Sequence, residues 1–573
     1  MKPKGSIRRS QLITTYGVGA IVAVEDESYM IAGLDRWATN GPDLQEPRLE
    51  RELRVPGFVL PPATEKGLDI PVVRFPTMLS CPSCKRLETD RFFATYEKNT
   101  CNMCDQRLIP SRFIVACRRS HIDDFPYFKW IHSGTPRTET TKHEMTIETA
   151  GNSASLRAVQ LLCSCGKRAT MEGSFGKHAL QGVTTCTGRR PWLASAKEEC
   201  AEIPMTLQRG ASNVWFPVLR SSLSIPPWSE GAFKLLNKFW QMLRHLPDDA
   251  LKPAFEGMHI AEGTPYSVAD LVLAVQQRRR RENEVGPITD EAMKAQEYEA
   301  LVKGRQGGGG GEEFVCVPAP ELGTFVTQWF ERVMVVKRLR EVRVLESFTR
   351  LFPPSPADPP EYRGALFVDN PGWLPAMEVT GEGVFLQFKG QALSRWEKAV
   401  ATRDRASSID GNYARTFKEK GSTPPRTITA RLLMLHTFAH SLINQWSLDS
   451  GYPASSLRER LYASNEMAGV LIYTATSDSA GSLGGVIAQA DPGRLDASVQ
   501  EALDRVSWCS ADPLCSESVA AGVDSLNLAA CHACILVPEV SCEEMNLLLD
   551  RGLLIGTPAA PTLGLFDAAR VYA

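Results

Sequence analysis

The chain has 573 residues, 43% of them hydrophobic and 23% charged, and its formal net charge is −2 at pH 7. At about 150 residues per domain, this length predicts roughly three or four domains with ordinary globular cores. The near-neutral charge excludes a uniformly basic surface that coats nucleic acid, but it is compatible with a local basic groove. No stretch approaches the ~20 consecutive apolar residues that a membrane-spanning helix needs.

The N-terminal part is predicted to begin with β-structure and to continue into cysteine-rich modules. In residues 1–75, short apolar runs at 20–24 and 72–75 predict strands that are separated by turns. Residues 76–215 contain two groups of cysteines and predict turn-rich zinc modules. Zinc-binding thiols persist best in a reducing compartment, so we expect a cytoplasmic protein.

The first cysteine group has the spacing of a zinc ribbon. Cys81 and Cys84 form one pair that encloses two residues, and Cys101 and Cys104 form a second. Such a gap lets one tight turn direct two sulfurs at the same ion, and Zn²⁺ takes four ligands tetrahedrally. Four thiolates leave no open position for water, so this site is predicted to support folding rather than catalysis.

The second group is less regular and consists of Cys163, Cys165, Cys186 and Cys200. A closed site with four sulfurs is the simplest arrangement of these residues. Cys117 and His121 lie between the two groups and could replace a ligand in either of them. Cys117 follows the apolar run 113–116, which favours an ordinary buried thiol.

The middle region, residues 216–352, is predicted to be mainly helical. Apolar residues recur every three or four positions in 233–246 and 268–281. Four consecutive arginines at 278–281 suit the C-terminal end of a helix dipole, which favours a solvated helix end over a phosphate-binding patch. The five glycines at 307–311 indicate a flexible loop, and no Gly-Lys-Ser or Gly-Lys-Thr follows them as in a phosphate-binding loop.

Residues 361–573 are predicted to form a mixed α/β zinc-binding domain after a proline-rich linker at 353–360. Apolar runs at 383–388 and 469–474 predict strands, and 428–446 predicts a buried helix. The complete prediction is an α+β multidomain protein. It has a β-rich N-terminal region with zinc-ribbon modules, a helical middle region and a C-terminal α/β zinc-binding domain.

Five cysteines near the C-terminus compete for the four positions of a third site: Cys509, Cys515, Cys531, Cys534 and Cys542. Cys531 and Cys534 form a knuckle, and Cys542 is the predicted third ligand. Either Cys515 or Cys509 completes the site, because sulfur is a softer partner for zinc than His532 inside the knuckle. We therefore expect two or three zinc ions in the chain.

His436 and His440 are one helical turn apart, a spacing that can bind a metal. The glutamate of a metallopeptidase His-Glu-x-x-His motif is absent, and apolar residues crowd the same helix, so packing histidines are favoured. The glycine-rich turn at 477–485, with Asp478 and several serines, could bind a ligand but shows no base for a serine nucleophile. Since the sequence contains no Walker A or nucleophile-elbow motif either, a non-catalytic protein is predicted.

Two sets of motifs resemble known families. The C-terminal motifs are similar to the MZB domain, a metal-binding domain of bacterial DNA-repair helicases; they are residues 432–440, 469–474, 484–485 and 531–534. The N-terminal motifs, together with these, resemble the DrmB family of the DISARM anti-phage defence system; they are residues 8–21, 118–126, 190–193 and 210–217. The resemblance covers most of the chain and is weakest around residues 230–350.

The resemblance implies a subunit without a motor of its own that acts with DrmA, a large helicase-like ATPase. The pair is expected to engage phage DNA, while a DNA methyltransferase marks the DNA of the host. For the C-terminal domain, the resemblance implies metal ligands at Cys531, Cys534, Cys542 and one of Cys515 or Cys509. The helicase-borne domain has a tighter spacing than the seven residues between Cys534 and Cys542.

DNA phosphates would be contacted by basic residues near the cysteine ligands: Arg107, Arg112, Arg118, Arg119, Lys167, Arg168, Arg189 and Arg190. Two alternatives remain open. The first is a metal-dependent nuclease or hydrolase with a site near His436, His440 and Asp478, since such enzymes need ligands with open coordination positions. The second is an interaction scaffold that contacts only protein.

Overall fold

The computed structural model of the protein describes residues 5–62, 69–93, 99–136, 143–151, 155–194, 197–226, 231–264, 266–284, 288–307, 313–355, 358–419, 422–474, 484–522 and 525–566. The chain divides into two units. Unit 1 comprises Met1–Leu44, Gly57–Arg220 and Arg343–Met377. Unit 2 comprises Gln45–Pro56, Ser221–Val342 and Glu378–Ala573.

The described residues form strands and helices along the whole chain. The strands are β1 (Ile21–Val24), β2 (Glu27–Ile31), β3 (Phe58–Val59), β4 (Val72–Arg74), β5 (Met78–Ser80), β6 (Leu87–Thr89), β7 (Ile109–Pro110), β8 (Phe113–Ala116), β9 (Ile122–Asp124), β10 (Met145–Thr149), β11 (Val159–Cys163), β12 (Arg168–Thr170), β13 (Met205–Gln208), β14 (Phe216–Leu223), β15 (Phe314–Pro318), β16 (Phe330–Thr349), β17 (Leu374–Phe388), β18 (Leu457–Ala463) and β19 (Ala468–Thr474). The helices are α1 (Gln11–Thr14), α2 (Pro47–Leu53), α3 (Tyr127–Ile131), α4 (Gly231–Asn237), α5 (Trp240–Leu243), α6 (Asp248–Gly257), α7 (Val268–Glu284), α8 (Asp290–Lys303), α9 (Thr324–Trp329), α10 (Gly390–Glu397), α11 (Val400–Glu419), α12 (Ala430–Ser450), α13 (Arg494–Val506) and α14 (Gly552–Ile555).

Unit 1 is built from small antiparallel sheets. Four of them have three strands each, in the orders β1-β2-β4, β6-β5-β7, β13-β8-β9 and β10-β11-β12. Their strands are only two to five residues long. One apolar cluster in this unit includes Phe113, Phe125 and Tyr127, all buried. Short strands around modest cores bury little apolar area, which is the condition under which small folds rely on metal ions for stability.

Unit 2 contains most of a larger sheet with the strand order β14-β16-β17-β19-β18, to which β15 is added at β16. Strands β14, β16 and β17 contain residues of both units. Helix α12 packs on β18 and β19. Its start is capped by the Thr429 hydroxyl, which accepts a hydrogen bond from the Leu432 N–H, and it ends at Gly451 with φ 73°. Most residues of α12 are buried, as the sequence predicts.

The middle helices of unit 2 have a core of their own, which includes Trp240, Phe255 and Leu271. The arginines at the end of α7 are not all solvated, contrary to the sequence-based expectation. Arg278 is buried, its guanidinium lies 4.0 Å from the Trp240 ring centre, and it donates to Asn237 Oδ1 at 2.6 Å. Arg279 donates to the Leu246 carbonyl at 2.5 Å. Consecutive helical residues point in different directions, so a run of arginines cannot face solvent as one group.

The α+β architecture is confirmed, with each predicted strand and helix named above overlapping an observed element. The described part of the proline-rich segment, residues 353–355 and 358–360, lies inside unit 1, and the four-part domain division stays a prediction. In the glycine run, only Gly307 is described, and residues 477–483 of the glycine-rich turn lie outside the described residues. Within the described ranges, none of the helices combines the length and hydrophobicity that crossing a bilayer requires.

Candidate metal centres

Five groups of four side chains in the described residues bring candidate ligand atoms within 4.8 Å of one another. Unit 1 contains the ribbon cluster (Cys81, Cys84, Cys101, Cys104), the hairpin cluster (Cys117, His121, Cys186, Cys200) and the histidine–cysteine cluster (His132, His143, Cys163, Cys165). Unit 2 contains the C-terminal cysteine cluster (Cys509, Cys515, Cys531, Cys534) and the mixed cluster (His436, His440, Glu459, Cys542). The sequence predicts two or three zinc ions, and the number of candidate groups is larger.

The ribbon cluster is formed by two turns of the same design. The Lys85 N–H donates to the Cys81 carbonyl at 3.0 Å, and the Asp105 N–H donates to the Cys101 carbonyl at 2.9 Å. Both Lys85 and Asp105 have positive φ, 60° and 52°. The structure therefore brings together the same four cysteines that the spacing groups.

The sulfur separations of the ribbon cluster suit zinc. Four sulfurs at ~2.3 Å from one ion lie ~3.8 Å apart when the geometry is tetrahedral. Cys84 Sγ and Cys101 Sγ are 3.8 Å apart, and Cys81 Sγ and Cys104 Sγ are 3.2 Å apart. A hydrogen bond from Cys81 lowers the pKa of Cys104 to about 7, which favours the thiolate that zinc binds.

The second predicted group is divided between two clusters. Cys186 and Cys200 join Cys117 and His121, whereas Cys163 and Cys165 join two other histidines. The expectation of one closed site from the four cysteines is therefore corrected. The preference for Cys117 as an ordinary buried thiol is corrected as well, because its sulfur lies 4.0 Å from that of Cys200.

The hairpin cluster is positioned by a turn and by a pair of adjacent segments. Strands β8 and β9 are joined by a turn in which the Cys117 N–H donates to the His121 carbonyl at 3.1 Å. The segment after Cys186 lies beside the segment that contains Cys200, since the Cys186 N–H donates to the Glu202 carbonyl at 2.9 Å. One local turn and one pair of adjacent segments, from distant parts of the chain, thus supply two ligands each.

His121 is oriented as a metal-binding histidine is. Its Nε2 lies 3.0 Å from Glu198 Oε2, which accepts the Nε2 proton and leaves the Nδ1 lone pair free. That Nδ1 lies 3.4 Å from Cys117 Sγ and 3.6 Å from Cys186 Sγ. A hydrogen bond from Cys117 lowers the pKa of Cys186 to about 4, which favours the thiolate that zinc binds.

The histidine–cysteine cluster combines a hairpin with the end of helix α3. Cys163 and Cys165 lie in the turn between β11 and β12, where the Cys163 N–H donates to the Lys167 carbonyl at 2.9 Å. His132 follows α3 and donates from Nδ1 to the Phe128 carbonyl at 2.7 Å, so its Nε2, 3.3 Å from Cys165 Sγ, is free to bind a metal. His143 Nδ1 lies 3.2 Å from Cys163 Sγ.

A backbone hydrogen bond from Lys167 lowers the pKa of Cys165 to about 6. A donor set of two imidazoles and two thiols suits zinc.

The C-terminal cysteine cluster contains both Cys509 and Cys515, the two alternatives for its remaining ligand position. The Sγ–Sγ distances are 3.5 Å for Cys509–Cys531, 3.8 Å for Cys515–Cys534 and 3.7 Å for Cys531–Cys534. These values again fit tetrahedral zinc. Cys542, the predicted third ligand, lies in the mixed cluster instead, so that expectation is corrected.

Asp512 fixes the loop between the first two cysteines of this cluster. Its carboxylate accepts hydrogen bonds from the backbone N–H groups of Cys509 and Ser516, both at 3.0 Å. Arg551 pairs with the same carboxylate. His532 is exposed and does not belong to the group.

The histidines of the mixed cluster are fully buried, with 0% of each side chain exposed. They do not form the open site of the nuclease or hydrolase alternative, whose metal needs access to water. Asp478, the third residue of that alternative, lies outside the described residues.

The eight predicted DNA-contact residues fall into two kinds. Arg107, Arg119, Arg189 and Arg190 are paired with carboxylates in the structure. Four more are exposed, namely Arg112, Arg118, Lys167 and Arg168. The guanidinium of Arg118 lies 5.0 Å from the Phe352 ring centre. Arg107 is exposed as well, but it is paired with Asp26.

The sequence interpretation missed several members of these clusters. His132 and His143 have no spacing relation to cysteines that would indicate a site. Glu459 has a weak signal, because it alternates with Leu457 and Leu461 on one face of β18, where an apolar residue is the norm. An acidic residue at a buried strand position needs a partner, which the sequence alone does not identify.

Two protein-family models match separate parts of the chain. Residues 8–216 match a domain of unknown function, DUF8724, and residues 438–535 match the MrfA Zn-binding domain. The second match includes all four residues of the C-terminal cysteine cluster, whereas His436 and Cys542 lie outside it. The donor sets described above fit the zinc that this domain binds.

The chain is also similar over nearly all of its length to a curated protein. It is 32% identical over 567 residues to the DISARM protein DrmB of Bacillus paralicheniformis, and the match covers 93% of this chain and 97% of that protein. The chain belongs to the DrmB family.

Proposed function

We propose that this protein is a non-catalytic, zinc-binding accessory subunit of a bacterial anti-phage defence system of the DISARM type. It associates in the cytoplasm with a helicase-like ATPase of the DrmA type and supports the binding of DNA by that ATPase. The observation that carries the proposal is the match to the DISARM protein DrmB along 93% of the chain. Candidate sites made of closed, largely sulfur donor sets are consistent with it.

Zinc in this proposal is structural. The ribbon, hairpin, histidine–cysteine and C-terminal cysteine clusters each offer four protein ligands, which fill the tetrahedral coordination of Zn²⁺. A filled coordination sphere leaves no position for substrate, so the ion stabilises the fold. The loops that the zinc ions stabilise present surface groups to partners.

The contact with the ATPase is proposed to include the loop of the C-terminal cysteine cluster. In the described part of the chain, the three most exposed large apolar side chains are Leu514, Val519 and Trp508, at 84%, 81% and 70%. They come from one short segment around Cys509 and Cys515. Exposed apolar groups that are concentrated in this way mark protein interaction sites.

The partner contact is tested by co-purification of the tagged chain with the ATPase encoded beside it. Replacing Trp508, Leu514 and Val519 with serine should reduce the retained ATPase at least about tenfold, the equivalent of ~1.4 kcal/mol. The control replaces Leu273, Val400 and Leu448, which are 53%, 63% and 61% exposed elsewhere in unit 2. Failure of the unmodified chain to retain the ATPase would contradict the proposal.

DNA binding by the complex is tested with the four exposed cations. Changing Arg112, Arg118, Lys167 and Arg168 to alanine should weaken binding and lower the salt dependence by about one unit of slope per lost phosphate contact. The control removes the same charge from exposed residues of unit 2: Arg395, Lys398, Arg403 and Lys418. Equal DNA affinity for both variants and the unmodified complex would favour the protein-only scaffold instead.

A further inference from the structure

The mixed cluster joins three elements of unit 2 at one buried point. His436 and His440 come from helix α12, Glu459 from strand β18, and Cys542 from the segment that follows Ser541. The two histidines and Glu459 are 0% exposed and Cys542 is 4% exposed. Four polar side chains at a point without access to water must satisfy one another or share a ligand.

Both imidazoles are held so that their Nε2 atoms face the cluster. His436 Nδ1 lies 3.2 Å from the Leu548 carbonyl, and His440 Nδ1 lies 3.0 Å from the Ile535 carbonyl. A carbonyl can only accept, so Nδ1 carries the proton in each neutral ring, and each Nε2 presents a lone pair. Metal-binding histidines are oriented in this way by backbone carbonyls.

The facing atoms have the separations of ligands around one ion. His436 Nε2 lies 3.1 Å from Cys542 Sγ and 3.2 Å from Glu459 Oε1, and His440 Nε2 lies 3.5 Å from the same oxygen. Tetrahedral zinc with usual bond lengths separates a nitrogen from a sulfur or oxygen ligand by ~3.4–3.6 Å. The observed distances are therefore close to those of a coordinated set.

Two of the cluster's atoms have no hydrogen-bond partner among the described residues: His440 Nε2 and Glu459 Oε2. An ion pair between protonated His436 and Glu459 would account for one nitrogen and one oxygen, but it would leave these two buried atoms unsatisfied. Each such atom costs about 1–3 kcal/mol. A cation bound by all four side chains satisfies these atoms. A metal site therefore explains the cluster better than histidines that serve only in packing.

The surrounding backbone prepares Cys542 and Glu459 to act as anions. The N–H groups of Glu544 and Asn546 point at Cys542 Sγ from 3.3 and 3.2 Å. The Glu543 N–H donates to Glu459 Oε1 at 3.0 Å. A thiolate and a carboxylate together balance the charge of one divalent cation, so a filled site is electrically neutral in its buried position.

We propose that His436, His440, Glu459 and Cys542 bind one zinc ion, separate from the one in the C-terminal cysteine cluster. Its mixed sulfur, nitrogen and oxygen donors suit zinc, and its four ligands make it a closed, structural site. The ion fastens helix α12 to strand β18 and to the segment around Cys542. The proposal is independent of any partner or DNA.

Zinc content measured by plasma mass spectrometry on the full-length protein tests the site. Cys542→Ser should lower the content by about one zinc ion per chain. Cys316→Ser is the matched control, because Cys316 is a fully buried thiol of the same unit that belongs to none of the five groups, and its content should be unchanged. Equal zinc in Cys542→Ser and the unmodified chain would overturn the proposal.

A second measurement avoids any variant that fails to fold. Anomalous scattering from crystals of the unmodified chain, recorded above and below the zinc edge, should show a peak between the four side chains. A peak within the C-terminal cysteine cluster serves as the internal control. That control peak without one at the mixed cluster would refute the assignment.

Discussion

The ribbon cluster and the mixed cluster obtain their four side chains in opposite ways. The ribbon cluster uses two short turns, each of which directs two sulfurs, and it includes the exposed Cys84. The mixed cluster draws on a helix, a strand and a later segment, and all its members are buried. The first site is encoded by local spacing, and the second exists only once unit 2 has packed. Stability should therefore depend on zinc in different ways in the two regions.

Removal of all zinc should have the largest effect. Zinc contributes ~10–16 kcal/mol in small structural sites, which is as large as the usual net stability of a domain, about 5–15 kcal/mol. A chain that is unfolded, stripped with a chelator and returned to zinc-free buffer should not regain amide protection in either region, and added zinc should restore it. Native hydrogen exchange of both regions without zinc would show that neither cluster supports folding.

Loss of one ribbon ligand should damage unit 1 locally. Cys81→Ser should destabilise the ribbon by several kcal/mol, on the order of 4, because an incomplete ligand set binds zinc weakly. Hydrogen exchange should rise around the apolar cluster of Leu79, Phe93 and Leu108, and stay unchanged at the mixed cluster. Ser83→Ala, an exposed change inside the same knuckle, is the control. An equal loss of protection from hydrogen exchange in α12 would contradict the proposed difference between the ribbon cluster and the mixed cluster.

The stability of the hairpin cluster should depend both on a local turn and on long-range packing, because a residue distant in sequence supports the turn. Arg350 is buried and donates to the carbonyls of Ser120, Val214 and Gly19 at 3.0, 2.7 and 2.8 Å. Ser120 lies in the turn between Cys117 and His121. Arg350→Met leaves these carbonyls without a donor and should cost about 3 kcal/mol, measured by denaturant unfolding.

Zinc should leave the hairpin cluster of Arg350→Met at a lower chelator concentration than it leaves the ribbon cluster. The control is Arg363→Met, whose guanidinium pairs with Glu346 at 2.9 Å and is 27% exposed. If both variants release zinc alike, the turn does not depend on Arg350.

The smallest effect is expected at the surface of unit 1. Arg107 pairs with Asp26, and their side chains are 71% and 59% exposed. Since exposed pairs contribute about 0–1 kcal/mol, Arg107→Ala should leave the unfolding midpoint nearly unchanged. A large shift would mean that surface charge, and not the buried metal ligands, stabilises this region.

A metal site can be predicted from the sequence when its ligands are close together in the chain. The ribbon follows from two equal gaps, and the long helix and strands of unit 2 follow from their apolar runs. The remaining partners depend on packing. His143 reaches Cys163 because β10 pairs with β11 and aligns Met145 with Cys163. Glu459 meets His436 only because α12 packs on β18. No spacing rule contains these relations. Proximity in sequence therefore groups Cys542 with the other C-terminal cysteines, whereas the structure places it beside His436 and Glu459.

Native mass spectrometry of the full-length protein tests most directly whether unit 1 and unit 2 are both fastened by metal. The mass should exceed that of the polypeptide by five zinc ions, one for each cluster. A folded chain that carries zinc only in the ribbon and C-terminal cysteine clusters would contradict the account.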